Sequence, residues 1–152
     1  MLRYFIFFLV FIFIACAKNT KSEYYSFDNK TWNSDSIVLF KYFVSDTTKK
    51  YDLLLKIRHT VDYEFQNLFL FLDNGTKDTV EIILSNKKGK WFGSGVIDVR
   101  DIEYVIAKNT LFSKKGEYYL RVEQAMRYGP VEKIRNLEHI LDVGLIVRRS
   151  NE

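Results

Sequence analysis

Alternation of apolar and polar residues recurs along most of this chain, and a period of two is the mark of β-strands rather than helices. Val38, Phe40, Tyr42 and Val44 share one face of a segment that starts at Ile37. Tyr51, Leu53, Leu55 and Ile57 alternate with Asp52, Leu54, Lys56 and Arg58, the pattern of a half-buried strand. Leu68 to Leu72 is apolar on both faces and suits a central strand. Val80, Ile82 and Leu84 predict a further strand, and Tyr104 with Ile106 a short one. Tyr118, Leu120 and Val122 alternate with Tyr119, Arg121 and Glu123. Leu141, Val143, Leu145 and Val147 do the same with Asp142, Gly144, Ile146 and Arg148.

Turn-forming residues separate these runs: Ser45-Asp46-Thr47-Thr48, Asp73-Asn74-Gly75, Asn86-Lys87-Lys88-Gly89 and Lys114-Lys115-Gly116. Roughly seven or eight strands at that spacing predict an all-β domain, an antiparallel β-sandwich with a jelly roll as one variant. Only residues 129–140 read otherwise. Gly129-Pro130 opens a polar stretch in which Val131, Ile134 and Leu137 are spaced by three, which predicts a helical turn or two.

The first sixteen residues belong to another category. Arg3 supplies a positive start, Tyr4 to Ala15 is unbroken apolar sequence, and Cys16 is the single cysteine of the chain. As a helix that run rises only ~18 Å, too short for a bilayer core of about 30 Å but right for a secretory signal. A small residue before a lone cysteine at its end resembles the lipobox of bacterial lipoproteins. By that resemblance residues 1–15 are removed and Cys16 becomes the acylated N-terminus; an ordinary signal peptide is the alternative. Residues 16–22 then form the lipidated cysteine and a short polar tether, and residues 23–152 one domain. With no cysteine pair, stability rests on the core, for which 47% apolar and 16% aromatic residues provide ample material. The formal charge of +4, or +3 without Arg3, is too mild to argue for nucleic acid.

Residues that carry chemistry are sparse. His59 continues the buried parity of its strand and reads as a cap on the core edge, while His139 beside Glu138 reads as solvated. Without a second cysteine or a His-x-x-x-His spacing, neither argues for a metal or other cofactor. No Gly-x-Ser-x-Gly elbow is present to place a nucleophile. Asp98, Asp101 and Glu103 form an acidic group whose spacing departs from a calcium loop and reads as a solvated turn. Gly89-Lys90-Trp91-Phe92-Gly93-Ser94-Gly95 lacks the ending of a phosphate loop, so its glycines read as a tight turn or bulge beneath packed aromatics.

Several segments together resemble one family. They are Tyr51-Asp52-Leu53, Lys56-Ile57-Arg58, Asp62-Tyr63, Asn67-Leu68-Phe69-Leu70-Phe71, Asp78-Thr79, the Gly89–Gly95 segment, Gly116-Glu117-Tyr118, Glu123-Gln124-Ala125-Met126-Arg127 and Asp142-Val143-Gly144-Leu145. With the lipobox, the whole chain resembles the GldH gliding motility lipoproteins of the Bacteroidota. One local departure is Glu138-His139, where the family pattern leads one to expect a glycine. The resemblance implies a membrane-anchored envelope lipoprotein required for gliding and tied to the type IX secretion machinery, with no catalytic residue and Cys16 as acylation site. By analogy, it implies an outer-membrane position facing the periplasm.

A scaffold or adaptor of this kind binds through aromatics or a sheet edge, and its partners are the membrane and other gliding or secretion proteins. Trp32, Trp91, Phe92, Met126 and Arg127 are the candidate contacts, because aromatic, Met and Arg side chains are enriched at interfaces. For each, core packing or a local salt bridge is the competing role, and Arg127 is the preferred contact. A second reading from another class is a glycan-binding surface lipoprotein, which requires Trp32 and Trp91 to face solvent as a stacking platform.

Overall fold

The computed structural model describes residues 20–151, so Cys16 and the signal lie outside the described residues. Ten strands form: β1 (Thr20–Ser26), β2 (Thr31–Asn33), β3 (Val38–Val44), β4 (Tyr51–Thr60), β5 (Asn67–Asp73), β6 (Lys77–Ile83), β7 (Val99–Thr110), β8 (Gly116–Gln124), β9 (Asn136–Glu138) and β10 (Ile140–Arg149). All pairings are antiparallel. One four-stranded sheet has the order β1-β10-β4-β7 and the other β3-β8-β5-β6, while β2 and β9 make a separate ribbon. Among the eight strands of the two sheets, only the β5–β6 connection stays within a sheet; every other one crosses. That interleaving is the double Greek key of a jelly roll.

The expected strands all form, and their apolar faces are the ones that meet. Val38, Phe40, Tyr42 and Val44 pack with Leu53, Leu55, Ile57, Leu70, Ile82, Leu120, Val122, Val143 and Leu145 in one core. Each such side chain contributes on the order of 1.5–3 kcal/mol on leaving water. Tyr42 has its phenol pushed up to about 12 by burial and by neighbouring Tyr118. β5 is central, between β8 and β6, as expected, but only one of its faces is covered: Phe71 is exposed.

Three strands lack an alternating signature. β1 is exposed along its whole length and exists because its backbone pairs with β10 from Thr20↔Arg148 to Ser26↔Asp142. It therefore takes up Thr20, Lys21 and Ser22, the last part of the expected tether. β2 and β9 hold Trp32 and Leu137 opposite each other, both buried. The stretch 129–140 is not helical. Leu137 and Ile134 turn inward from irregular backbone and β9, because Gln124 and Met126 hold that loop down.

The register defines two ends of the sandwich. Thr20↔Arg148, Arg149↔Tyr51, Tyr51↔Thr110 and Val44↔Gly116 bring the start of β1, the loops 45–50 and 111–115 and the end of β10 to one end, here the proximal end. The loops 61–66, 84–98 and 125–135 lie at the other, distal end.

Candidate functional site

The distal end is built on an aromatic chain that starts in the core. His59, fully buried on β4, meets the edge of Trp91 at 4.8 Å between centroids and lies 5.7 Å from Tyr63. Tyr63 continues to Phe65 at 5.7 Å, and Phe65 to Tyr128 at 5.9 Å. The chain ends in solvent, since Tyr128 is 70% exposed. His59 Nδ1 donates to the Thr60 carbonyl at 2.8 Å, which leaves Nε2 as a bare acceptor with no partner in the protein. Burial, with Arg100 nearby, pushes this imidazole below its ordinary value, against the pull of the Thr60 carbonyl and Asp101. Burial likewise drives the Tyr63 phenol well above the usual tyrosine range. The cap expected of His59 is thus a core residue.

Backbone contacts fix the loops around these rings. Ser94 exchanges both hydrogen bonds with Asp101 of β7, at 3.0 and 2.7 Å. A Cβ on Gly93 would stand 2.0 Å from the Asp101 carbonyl oxygen, and one on Gly95 1.9 Å from that of Val99. Only glycine permits this approach, so Gly-Ser-Gly is a structural seam, as the sequence reading had it. The Glu-Gln-Ala-Met-Arg segment is a second seam. Gln124 Nε2 donates to the Ile134 carbonyl at 2.7 Å, and its Oε1 accepts from the Met126 amide at 2.9 Å. The Ala125 and Ile134 amides donate to the carbonyls of Phe69 and Met126, both at 2.8 Å.

These seams frame an open depression of about 680 Å³, lined among others by Phe65, Ile83, Phe92, Met126, Arg127 and Tyr128. Three of the candidate contacts therefore come together, in unequal roles. Arg127 and Phe92 are exposed, while Met126 is only 2% exposed and forms floor rather than contact. Trp91 is half-buried behind the rim, against His59 and Tyr63. Trp32 is elsewhere and wholly buried: its indole donates to the Ser36 carbonyl at 3.0 Å and stacks on Phe27 at 4.7 Å. Trp32 and Met126 are thus corrected from contacts to core, and the paired-tryptophan platform of the glycan reading is not formed. Phe65, Ile83 and Tyr128 were missed. A bare aromatic in the turn Tyr128-Gly129-Pro130 was the available signal.

The acidic group expected as a solvated turn is partly engaged. Asp101 accepts from Arg58 at 2.8 Å and from Lys56 at 3.0 Å on the outer face of the first sheet. Burial pushes its carboxyl up, but these two cations overcome that and hold it below the ordinary value. His139 also departs from expectation: it is half-buried, and its Nδ1 lies 3.0 Å from Thr60 Oγ1. Its φ of 68° is a left-handed conformation that suits glycine.

Comparison with known sequences agrees with these motifs. Residues 19–147 match the family described as GldH lipoprotein. The chain belongs to the GldH lipoprotein family. It is 35% identical over 151 residues to the Gliding motility lipoprotein GldH homolog of Christiangramia forsetii, covering 95% of this chain and 93% of that one. It is 31% identical over 147 residues to the Gliding motility lipoprotein GldH of Flavobacterium johnsoniae, covering 92% and 91%. Among solved structures, an infectious bursal disease virus VP2 subviral particle aligns at a TM-score of 0.33 and 9% identity over 88% of this chain and 38% of that one. That likeness is too slight to bear on fold or function.

The closing motif of this GldH-family chain has its own geometry. A Cβ on Gly144 would stand 2.4 Å from the ring of Tyr24, so the glycine lets β1 lay that ring across β10. Asp142 Oδ2 lies 3.4 Å from Arg58, while Oδ1 is buried without a partner. Burial and Asp101 raise the Asp142 carboxyl, and Arg58 and Lys56 only partly offset them.

Proposed function

We propose that this GldH-family chain is a non-enzymatic envelope adaptor, acylated at Cys16, that supports gliding motility and the type IX secretion machinery from the periplasmic face of the outer membrane. The observation that carries the adaptor role is the distal depression. It offers Phe92 and Tyr128 beside an exposed Arg127 on loops that two backbone seams hold in one shape. Aromatic and Arg side chains on a preformed concave surface are the composition of a protein interface hot spot. The Flavobacterium relative's name supplies the motility context, and the family the lipid anchor.

The test is chromosomal replacement with Arg127→Glu paired with Tyr128→Ala, alongside Cys16→Ala. Neither distal change touches the core, so abundance and melting temperature should hold while colony spreading, type IX export and crosslinks to envelope partners are lost together. Normal spreading and export in the double variant, at normal abundance, would sink the adaptor surface. Unchanged membrane retention of Cys16→Ala would sink the anchor.

A further inference from the structure

We infer that the proximal end of the sandwich is a membrane-docking face that seats on anionic phospholipid. The inference rests on the acylated Cys16 proposed above and then on the fold. Thr20 begins β1 at the proximal end, four steps after Cys16, and a fully extended chain spans at most about 14 Å over that distance. β4 alone, at about 3.3 Å per residue, carries the distal end some 30 Å farther away. A lipid at Cys16 therefore confines the proximal end, and not the depression, to the bilayer surface.

The side chains at that end fit such a neighbour. Lys49, Lys108, Lys114, Lys115 and Arg149 are all exposed there. No salt bridge among the described residues reaches Lys114 or Lys115. Among the carboxylates of the same end, exposed Glu117 pairs with Lys41 at 3.3 Å, and Asp46 and Asp52 are engaged internally. Asp46 accepts from Thr48 at 3.0 and 2.7 Å and faces Arg149 at 3.9 Å. Asp52 accepts from Ser150 at 2.6 Å and the Asn109 amide at 3.0 Å, with Arg148 at 3.7 Å.

Between the lysines sits an apolar tip. In the loop 111–115, Phe112 is seated against Tyr118, Tyr51 and Tyr42 at 4.7, 5.7 and 6.1 Å, while Leu111 is 59% exposed. An anchored loop that exposes a leucine three residues before a lysine pair has the composition of an interfacial contact: apolar atoms enter the headgroup boundary and cations meet phosphate.

The experiment uses the full chain extracted from membranes and reconstituted into phosphatidylcholine vesicles with or without phosphatidylglycerol. An environment-sensitive fluorophore is placed at Leu111→Cys or, as distal control, at Val96→Cys, with quenchers carried on the lipid tails. With phosphatidylglycerol present, quenching at 111 should exceed that at 96 several-fold. It should fall about fivefold for each lysine neutralised in Lys114→Gln and Lys115→Gln, the factor expected per cation at an anionic surface, and further for the Lys→Glu reversals. Equal quenching at the two sites, or quenching at 111 indifferent to phosphatidylglycerol, overturns the inference. The mass of the extracted protein separates the two readings. A Cys16 without acyl chains defeats the anchor, whereas an acylated Cys16 with an unquenched Leu111 defeats only the docking face.

Discussion

The two ends of the sandwich solve opposite problems with the same kind of loop. At the distal end, buried rings and carbonyl contacts at van der Waals limits fix one backbone shape, and charges of both signs surround it. Trp91, Tyr63 and His59 interlock there, and Gly93 and Gly95 lie against β7. At the proximal end, loops 45–50 and 111–115 are held by a single inserted ring, Phe112, and by side-chain-capped turns such as Asp46 to Thr48. Lys49, Lys114 and Lys115 are the charged side chains among their exposed residues. On the proposed reading, shape is specified where a partner would be recognised, and charge suffices where a flat lipid surface would be met. Substitutions in the distal seams and buried rings should therefore cost stability, and those at the exposed proximal lysines little.

The largest effect is expected at Trp32 beneath the distal loops. Trp32→Ala empties a fully buried site and strips Phe27 of its stacking partner, for a loss of about 3–5 kcal/mol in denaturant unfolding. Gly95→Ala should follow at about 3 kcal/mol, because its Cβ would meet a carbonyl that belongs to the β7 backbone. A loss below 1 kcal/mol would mean the Gly-Ser-Gly seam is loose and the comparison of the ends overdrawn.

Acid should also act on the distal end. The His59 imidazole takes up its proton below its ordinary value in the native state, whereas the unfolded chain protonates near 6.5. The native state thus binds fewer protons, so stability falls as pH drops below about 6.5, by at most about 1.4 kcal/mol per pH unit. A His59→Phe variant should flatten that slope between pH 6.5 and 5. The raised carboxyl of Asp142 works in the opposite sense, its native state gaining relative stability on acidification from its raised value towards 3.8. An unchanged slope in the variant would place the acid sensitivity elsewhere.

Smaller effects sharpen the contrast. His139→Gly and His139→Ala both lose the contact to Thr60, but only alanine keeps a Cβ in the left-handed conformation. Glycine should therefore be the more stable of the two by about 1 kcal/mol in thermal unfolding. The smallest effect belongs to the proximal end: Lys114→Glu with Lys115→Glu should move stability by no more than about 0.5 kcal/mol. A larger loss there would mean these lysines hold the loop and are not free to serve a surface.

The sheets were legible where one face is buried and the other wet, because that environment writes a period of two into the residues. β3 shows it best, with Val38, Phe40, Tyr42 and Val44 inside and Leu39, Lys41 and Phe43 outside. β1, β2 and β9 were not legible. An exposed edge strand such as Thr20–Ser26 is stabilised by pairing with β10, which leaves no trace in its own side chains. The helical reading of 129–140 failed for a related reason. Spacing by three brings residues to one side only if the backbone is helical, and here Gln124 and Met126 tie it to other strands instead. At the candidate site, Arg127 and Phe92 were found from residue type alone, and type alone also promoted Trp32 and Met126, which the fold buries.

The sequence by itself determined the fold class, the family and the residue types open to an interface, because alternation, turn chemistry and motif are local properties of the chain. Tertiary structure decided which of those residues face solvent, which loops join into one depression, and at which end of the sandwich β1 begins. Those are consequences of strand order and register. They depend on pairings between residues a hundred positions apart, such as Thr31 with Glu138, that no local pattern encodes.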